Sequence, residues 1–500
     1  MKIAYISSEV APFAKTGGLA DVGGSLTKAL AEDGHEVAIF MPLYACVRRG
    51  GFDIERTGIQ VTVPIREDRP KGDIYRGTLP GTDVPVYFIR NDLYFDRDGL
   101  YGSSRGDYLD NAERFIFFCR AVLEALEPLD FAPDILHTHD WQAALANVYA
   151  RTLYEDAPAL EKAAVLFTIH NLAYQGLFWH WDMPLTGLPW EMFHYSKLEF
   201  YGKINFLKGG IVYADAINTV SKQYAREIQQ PDLGCGLDEM LSERSDRLYG
   251  IVNGVDYDVW NPAVDEHLAA HYTPDDLSGK ALCKKDLQQR LKLKVDPDAT
   301  VVAMISRLNG QKGLDLAAQI MEDYVDRNVQ WVVLGVGHPR YESILREHAE
   351  RCPETMSVTL EFDEALAHRI QGGADMILMP SRYEPCGLNQ LYGMKYGTVP
   401  IVRATGGLID TVHDAGADPK NATGFVFRDF TADALRDALD RALAAFEDKD
   451  RWQTIVRNGF RQDWSWQRIA ADYETLYKET LALRERDKAK AEAGPRAAES

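Results

Sequence analysis

Short apolar segments alternate with amphipathic ones along most of the chain, and this alternation strongly constrains the fold. Apolar strands that alternate with helices indicate a parallel sheet covered on both faces, with ligands bound at the carboxyl ends of the strands. The first half of the sequence predicts a helix over 21–32 and strands at 2–6, 36–41, 134–138, 164–169 and 216–220. Polar or Gly-rich residues follow these strands, so we expect binding residues there.

A second series of the same kind begins near residue 300. The turn-rich segment NGVDYDVWNP at 253–262, and the Pro and Gly residues that recur up to about 298, indicate a domain boundary. Beyond it the sequence predicts strands at 300–305, 330–334, 375–379 and 399–402, and helices that begin at Gly313, Arg340 and Leu388. A chain of 500 residues also exceeds the roughly 250–300 residues that one core supports.

These patterns predict the α/β fold class, with two Rossmann-like domains that face each other across a cleft. The N-terminal domain is predicted to span 1–255 and the C-terminal domain 256–484. The last helix, predicted from Gln467 to about Arg484, is a candidate to pack back on the N-terminal domain. Residues 485–500 are charged and almost without large apolar residues, so we expect a disordered tail.

The charge balance and the cysteine spacing narrow the possible partners and locations. With 55 Lys and Arg against 75 Asp and Glu, the net charge is −20, which disfavours nucleic acid and anionic membranes. This net charge remains compatible with the binding of a neutral polymer, or of a small anion held by local cations. The six cysteines lack the spacing of zinc or redox sites, and no apolar run reaches the roughly 18 residues of a membrane span. We therefore expect a cytoplasmic protein.

The loop KTGGL connects the first strand to the first helix. Gly17 and Gly18 allow backbone N–H groups to approach a ligand closely, and Lys15 adds a positive charge. A solvated lysine beside a simple turn is the alternative interpretation.

A second loop, RLNGQKG at Arg307–Gly313, follows the first strand of the C-terminal domain. It places Arg307 and Lys312 just before a helix N-terminus, an arrangement that suits a pyrophosphate. When a nucleotide-sugar bond breaks, the leaving diphosphate gains negative charge, which these cations could stabilise without a metal. Because no paired carboxylates lie at a strand end, we predict that no metal is required. Two solvated surface cations are the alternative.

A third cluster, SRYEPCGLNQLYGMKYG, follows a buried strand and places Glu384 in a loop at the binding edge. Its carboxylate could bind sugar hydroxyls or stabilise an oxocarbenium-like transition state. Cys386 is interpreted as a buried thiol rather than a nucleophile, since no adjacent histidine is evident. A second Gly-Gly loop, ATGGL at 404–408, offers further backbone donors.

Together with HTHDWQ, TIHN and VNGVD, these motifs resemble, in kind and order, the bacterial and plant glycogen and starch synthases that use ADP-glucose. The resemblance runs from residue 1 to about 484 and implies the GT-B glycosyltransferase architecture. It also implies retaining transfer of glucose from ADP-glucose to the non-reducing 4-hydroxyl of an α-1,4-glucan, without a cofactor. The residues are compatible with a covalent intermediate and with front-face attack.

The resemblance also assigns roles to individual residues. Catalytic roles are implied for Glu384, His170 and Lys15, with the backbone carbonyl of His170 facing the anomeric carbon. Donor binding is implied for Lys15, Gly17, Gly18, Arg307, Lys312, Phe362, Cys386, Gly387, Leu388, Thr405, Gly406 and Gly407, with the Phe362 ring against the adenine. Sugar or acceptor contacts are implied for Asp21, Asp140, Asn171 and Asn253. Asn389 departs from the family, where Ser or Thr is expected.

Taken one at a time, several of these residues have simpler interpretations. His170 could be a core histidine, Asn253 a turn former, and Asp21 and Asp140 helix caps. Four aromatic residues in segments expected to border the cleft could stack on glucose rings, although most aromatic residues belong to cores. These four are Tyr94, Trp141, Trp179 and Trp181.

Parts of the sequence also suggest three other functions. LGVGHPR at 334–340 offers two glycines after a strand, as in nicotinamide-dependent oxidoreductases, but Arg340 replaces the third glycine of that fingerprint. A non-catalytic glucan-binding protein would not need Lys15, Arg307, Lys312 and Glu384 together. A related retaining glycosyltransferase that uses UDP-glucose or another acceptor is the remaining alternative.

Overall fold

The computed structural model describes residues 1–493, which form two α/β units. Unit 1 contains 1–220, 225–254 and the described chain from Trp466 onward, and unit 2 contains Ser221–Tyr224 and Val255–Ser465. The sequence-based division assigned 256–484 to the C-terminal domain, whereas in the structure the chain from Trp466 onward belongs to unit 1.

Strands and helices are numbered in chain order. The strands are β1 (Lys2–Ile6), β2 (Glu36–Pro42), β3 (Glu55–Thr62), β4 (Lys71–Thr78), β5 (Pro85–Arg90), β6 (Gly102–Ser103), β7 (Gly106–Asp107), β8 (Ile135–His139), β9 (Ala164–Ile169), β10 (Leu177–Trp179), β11 (Glu199–Phe200), β12 (Lys203–Asn205), β13 (Ala216–Thr219), β14 (Leu248–Gly250), β15 (Thr300–Ile305), β16 (Val329–Leu334), β17 (Met356–Thr359), β18 (Met376–Met379), β19 (Val399–Arg403) and β20 (Phe425–Phe427).

The α-helices are α1 (Gly18–Glu32), α2 (Ala45–Arg49), α3 (Asp92–Phe95), α4 (Asn111–Leu126), α5 (Asp140–Ala150), α6 (Phe206–Tyr213), α7 (Lys222–Glu227), α8 (Asp238–Glu243), α9 (Ser278–Arg290), α10 (Leu314–Ile320), α11 (Pro339–Arg351), α12 (Glu364–Gly373), α13 (Asn389–Tyr396), α14 (Gly406–Thr411), α15 (Ala432–Glu447), α16 (Lys449–Arg461) and α17 (Trp466–Glu492). Short 3-10 helices include His180–Thr186, Trp190–Met192 and Gly310–Lys312.

The main sheet of unit 1 has the strand order β14-β13-β9-β8-β1-β2-β5-β4-β3. The strands from β14 to β5 are parallel, and β4 runs antiparallel to β5 and β3. Chain order reverses between β1 and β8, so the loops after these two strands diverge and leave room for a ligand. The KTGGL loop and Asp140 follow these two strands.

The last helix packs within unit 1. The ring of His137 in β8 bonds through Nδ1 to the Tyr477 hydroxyl at 2.9 Å, and Asn218 Nδ2 donates to the Tyr473 hydroxyl at 3.3 Å. Helix α17 continues to Glu492, so the expectation of a disordered tail is wrong for 485–492. Residues 494–500 of that predicted tail lie outside the described residues.

Unit 2 has a parallel sheet in the order β17-β16-β15-β18-β19-β20. Successive residues of its central strands alternate between two buried apolar clusters. Val302 and Met304 of β15 pack on one face, and Val301 and Ala303 pack on the other. Helices therefore cover both faces, as a parallel sheet requires. Chain order reverses between β15 and β18, which again marks the binding edge.

None of the helices in the part of the chain that the structure describes is long and apolar enough to cross a membrane.

Candidate active site

The binding edge of unit 2 contains a buried ion pair. Glu384, in the loop after β18, is 5% exposed, and its Oε2 lies 2.6 Å from Lys312 Nζ. The Ser381 hydroxyl donates to the same oxygen at 2.9 Å. The loops after β15 and β18 therefore place a cation and an anion in contact at the point where chain order reverses.

Local backbone structure fixes the position of Lys312. The Asn309 side chain accepts from the Lys312 N–H at 3.2 Å, which caps the 3-10 helix Gly310–Lys312. Leu308 N–H donates to the Val336 carbonyl at 2.8 Å. Arg307 is exposed at the start of this loop. The predicted pair of cations thus lies on one ordered loop after β15, but Lys312 is already paired with Glu384.

The ATGGL loop lies against the backbone of the Glu384 loop. A Cβ on Gly406, whose φ is +45°, would lie 1.9 Å from the Glu384 carbonyl oxygen. The N–H of Gly407 donates to the carbonyls of Glu384 and Pro385, both at 3.1 Å. Only glycine permits this approach, so the glycines of this loop hold the Glu384 loop in place, and the Gly407 N–H is engaged within the protein.

The other predicted donor residues of unit 2 lie along the same edge. Cys386 is buried, Gly387 and Leu388 lead into α13, and Thr405 precedes α14. Phe362 follows β17 and is 78% exposed. Its ring face is therefore accessible to a planar base.

Asn389 stands where Ser or Thr is expected in the family, and its side chain forms hydrogen bonds within unit 2. Its Nδ2 donates to the Ile305 carbonyl at the end of β15 at 2.8 Å, and its Oδ1 accepts from Gln371 at 3.3 Å. The side chain thereby connects the first turn of α13 to β15.

At the binding edge of unit 1, the KTGGL loop is held by a buried carboxylate that the sequence analysis missed. Glu9 is 3% exposed and accepts from the Thr16 hydroxyl at 2.7 Å, from the Thr16 N–H, and from the Tyr101 hydroxyl at 2.6 Å. Lys15 Nζ lies 2.8 Å from Asp21 Oδ1. The signal for Glu9 is its place in the loop after β1, three residues beyond Ile6, where polar residues meet ligands in this fold.

Strands β8 and β9, which follow β1 in the sheet, bring three more of the predicted residues together. Asp140, directly after β8, has φ +55° and accepts from the His170 N–H at 2.7 Å. His170 and Asn171 directly follow β9, and His139 Nδ1 lies 3.0 Å from His170 Nε2. Burial lowers the pKa of His170 to about 3, so this imidazole is neutral and forms a hydrogen bond with His139 rather than carrying charge.

Burial raises the pKa of Asp140 to about 7, although the backbone N–H groups of His170 and Asn171 oppose the shift. Because the folded pKa exceeds the unfolded one, the folded state of the wild type loses stability between about pH 4 and pH 7. Asn cannot ionise and still accepts from His170. We therefore expect the stability of Asp140→Asn relative to the wild type to increase across this range and to level off above pH 7. Urea unfolding midpoints at pH 5 to 8 measure this, and a pH-independent difference would contradict it.

The predicted acceptor residues differ in how accessible they are. Asn253, beyond β14, is buried, and its Oδ1 has no hydrogen-bond partner among the described residues. Trp141 is half-buried, with its ring centroid 4.9 Å from that of Phe115. Tyr94 is 3% exposed, and its hydroxyl donates to Glu113. The expectation that Tyr94 stacks on a sugar is therefore wrong, because its ring belongs to the core.

Comparison with known proteins identifies the family. Residues 2–243 match the starch synthase catalytic domain, and residues 286–458 match glycosyl transferases group 1. Glycogen synthase 2 of Geobacter sulfurreducens is 46% identical over 478 residues, which cover 96% of this chain and 98% of the relative. The chain belongs to the glycogen and starch synthase family. The glycogen synthase of Geotalea daltonii is 46% identical over 97% of this chain and 100% of its own length.

A solved member of the family has the same fold. The catalytic domain of starch synthase IV from Arabidopsis thaliana, bound to ADP and acarbose, superposes with a TM-score of 0.89 at 33% identity. The match covers 96% of this chain and 99% of that structure. These findings confirm the prediction of a two-domain GT-B glycosyltransferase.

Because the chain belongs to this family, the oxidoreductase interpretation of LGVGHPR is wrong. In the structure, Gly337 of this segment allows two loops to pack closely. A Cβ on Gly337 would lie 2.1 Å from the Leu308 carbonyl oxygen. This glycine therefore lets the loop after β16 pack on the Arg307–Gly313 loop.

Within residues 1–493, no three His, Cys, Asp or Glu side chains are grouped so that they could hold a metal ion.

Proposed function

We propose that this glycosyltransferase transfers glucose from ADP-glucose to the non-reducing 4-hydroxyl of an α-1,4-glucan, with retention of the anomeric configuration. The observation that carries the proposal is the contact between Lys312 and Glu384 at the reversal point of unit 2, on the same edge as Arg307. Relatives named glycogen synthase along nearly the full chain support it, as does the ADP-bound starch synthase of the same fold.

In this proposal the cations of unit 2 bind the donor diphosphate. Breaking the glycosidic bond leaves a nucleoside diphosphate with added negative charge, and a preorganised cation stabilises that charge as it develops. Arg307 offers a planar fork of donors, whereas Lys312 offers a compact charge. These fixed cations support transfer without a metal. The exposed ring of Phe362 is proposed to stack on the adenine.

Glu384 is proposed to stabilise the positive charge that develops at the anomeric carbon as the diphosphate departs. Its carboxylate is buried and held by Lys312 and Ser381, so little reorganisation is needed during the reaction. In unit 1, the His170 carbonyl is proposed to face the anomeric carbon. Asp21, Asp140, Asn171 and Asn253 are proposed to contact the glucosyl group or the acceptor, with Lys15, Gly17 and Gly18 at the donor.

Incubation with radiolabelled ADP-glucose and glycogen tests the proposal. We expect label in the polymer, at an undiminished rate with excess EDTA, because protein cations hold the diphosphate. Parallel reactions with UDP-glucose show whether the enzyme uses a donor with adenine or one with uracil. Incorporation of label from UDP-glucose alone would reject ADP-glucose as the donor. A rate that EDTA abolishes and Mg²⁺ restores would reject metal independence. If neither donor labelled the polymer, the proposed function would be wrong.

We also propose a cytoplasmic location, which the scattered spacing of the six cysteines supports.

A further inference from the structure

Every backbone carbonyl of the Glu384 loop, residues 381–385 after β18, accepts a hydrogen bond. The last two carbonyls accept from the Gly407 N–H at 3.1 Å, and the last also accepts from the Ser221 hydroxyl at 2.7 Å. The third carbonyl accepts from Gln311 Nε2 at 3.4 Å. The position of this backbone is therefore set by groups that lie outside the loop.

The first two carbonyls of the loop share one donor, the guanidinium group of Arg403 at the end of β19. Arg403 Nη1 donates to the Arg382 carbonyl at 2.5 Å and to the Ser381 carbonyl at 3.4 Å. Its Nε donates at 3.1 Å to the carbonyl of Arg428, which directly follows β20. One planar side chain thereby connects the ends of three strands, which the compact ammonium group of a lysine cannot reproduce.

An aromatic ring supports this arrangement. The guanidinium carbon of Arg403 lies 5.5 Å from the ring centroid of Phe430, and that of Arg382 lies 4.1 Å from the same centroid. Arg403 is half-buried. Hydrogen bonds from a charged donor are roughly twice as strong as neutral ones, so the guanidinium group holds the start of the Glu384 loop firmly.

The segment that Arg403 holds also binds the Glu384 carboxylate. The Ser381 hydroxyl donates to Glu384 Oε2 at 2.9 Å, and Lys312 Nζ contacts the same oxygen. A shift of the Ser381 backbone would therefore move a group that fixes this oxygen. Displacing a reacting group by about 1 Å can lower a rate by about 100-fold.

We propose that Arg403 is a positioning residue for glucosyl transfer, because it holds the backbone of the Glu384 loop and thereby places the Glu384 carboxylate. This inference rests on the role that the proposed function gives to Glu384. The hydrogen bonds of Arg403 described above go to backbone carbonyls rather than to a substrate. Its loss is therefore expected to lower kcat and to leave the affinity for ADP nearly unchanged.

Two substitutions separate the charge of Arg403 from its shape. Arg403→Lys keeps the charge but loses the planar fork, and Arg403→Ala removes both. We expect kcat for incorporation from ADP-glucose to fall about fivefold in the first and about thirtyfold in the second, with the Kd for ADP within about twofold of the wild type. Arg428→Ala, which changes an exposed arginine at the same edge and keeps its carbonyl, is the matched control and should match the wild type.

Added guanidinium ion tests whether the planar group itself is required. Millimolar guanidinium can occupy the position that Arg403→Ala vacates, so it should raise kcat of this variant about fivefold, whereas ammonium at the same concentration should not. Arg428→Ala should respond to neither ion. Equal recovery with ammonium would show that only charge matters, and a loss that guanidinium does not restore would assign the effect to an altered fold. Either result would overturn the proposal.

The double variant Arg403→Ala/Glu384→Gln tests whether Arg403 acts through Glu384. Independent losses multiply, whereas losses that act through one residue do not. In the Glu384→Gln background we therefore expect Arg403→Ala to lower kcat by less than about threefold. A further loss as large as that of the single variant would show that Arg403 acts elsewhere and would overturn the proposal.

Thermal melts show whether each variant is folded, and Arg403→Lys carries the test if Arg403→Ala is not. Wild-type kcat in the folded variants of an active enzyme would reject the role of Arg403 alone. A loss of ADP affinity as large as the loss of kcat would place Arg403 in the nucleotide site and would also reject this role. If the wild type itself incorporated no glucose, the proposed function would be wrong, and the role of Arg403 with it.

Discussion

Replacing Glu384 by Gln is expected to lower glucose incorporation by about 10²–10³-fold, the range found when a preorganised electrostatic contact to a transition state is removed. Gln is nearly isosteric and can still accept from Ser381, so the main change is the lost negative charge. Because that charge also neutralises Lys312, its removal leaves the ammonium group available to phosphate. We therefore expect ADP to bind the variant at least as tightly as it binds the wild type.

Initial rates with labelled ADP-glucose and calorimetric titration with ADP measure these two effects separately. Glu350→Gln, which changes an exposed carboxylate on α11, is the matched control and should match the wild type in both. Incorporation by Glu384→Gln at the wild-type rate would remove Glu384 from the mechanism. A loss of ADP affinity as large as the loss of rate would show instead that Glu384 acts through the structure of the nucleotide site.

The sequence predicted the sheets well because their strands are short, apolar and buried on both faces. Strands β1, β9 and β15 coincide with the predicted ranges, since a continuous apolar run between turn formers leaves little choice of boundary. The antiparallel extension of β3 and β4 was missed, because one face of it is exposed and its apolar signal is weak. The predicted end of α17 is too early, because its last turns lack large apolar residues. Polar contacts within unit 1 hold them instead: Asp487 Oδ2 lies 2.6 Å from Arg247 Nη1, and Lys488 Nζ donates to the Glu161 carbonyl at 2.6 Å.

Motifs located the binding edges, but side-chain pairing could not be derived from them. Lys312 and Glu384 were each predicted as binding residues, yet they lie 72 positions apart in sequence, and only the adjacency of β15 and β18 brings them together. Tyr94 illustrates the opposite case. The sequence does not show on which side of the sheet an aromatic ring near a binding segment lies. In the structure the Tyr94 ring lies in the core. The individual roles of the site residues stay predictions.

Replacing Lys312 by Met is expected to raise the Kd for ADP by about 10- to 100-fold, because a hydrogen bond to a charged group contributes about 1.5–3 kcal/mol. Adenosine carries no phosphate, so its affinity should not change. Met retains the length of the aliphatic stem, but Glu384 then loses its partner in a buried position, so we also expect a lower unfolding temperature. Calorimetric titrations with ADP and adenosine, beside a thermal melt, separate the two effects.

Lys312→Arg distinguishes charge from shape. It restores the positive charge and should recover part of the ADP affinity and of the unfolding temperature, although the planar fork cannot reproduce the compact contact with Glu384. Lys285→Met, at an exposed position on α9, controls for the loss of one positive charge from unit 2. If Lys312→Met weakened the binding of adenosine and of ADP equally, the lysine would support the fold of the nucleotide site rather than bind phosphate. If ADP affinity were unchanged, the diphosphate would lie elsewhere, and the proposed use of the loop after β15 would be wrong.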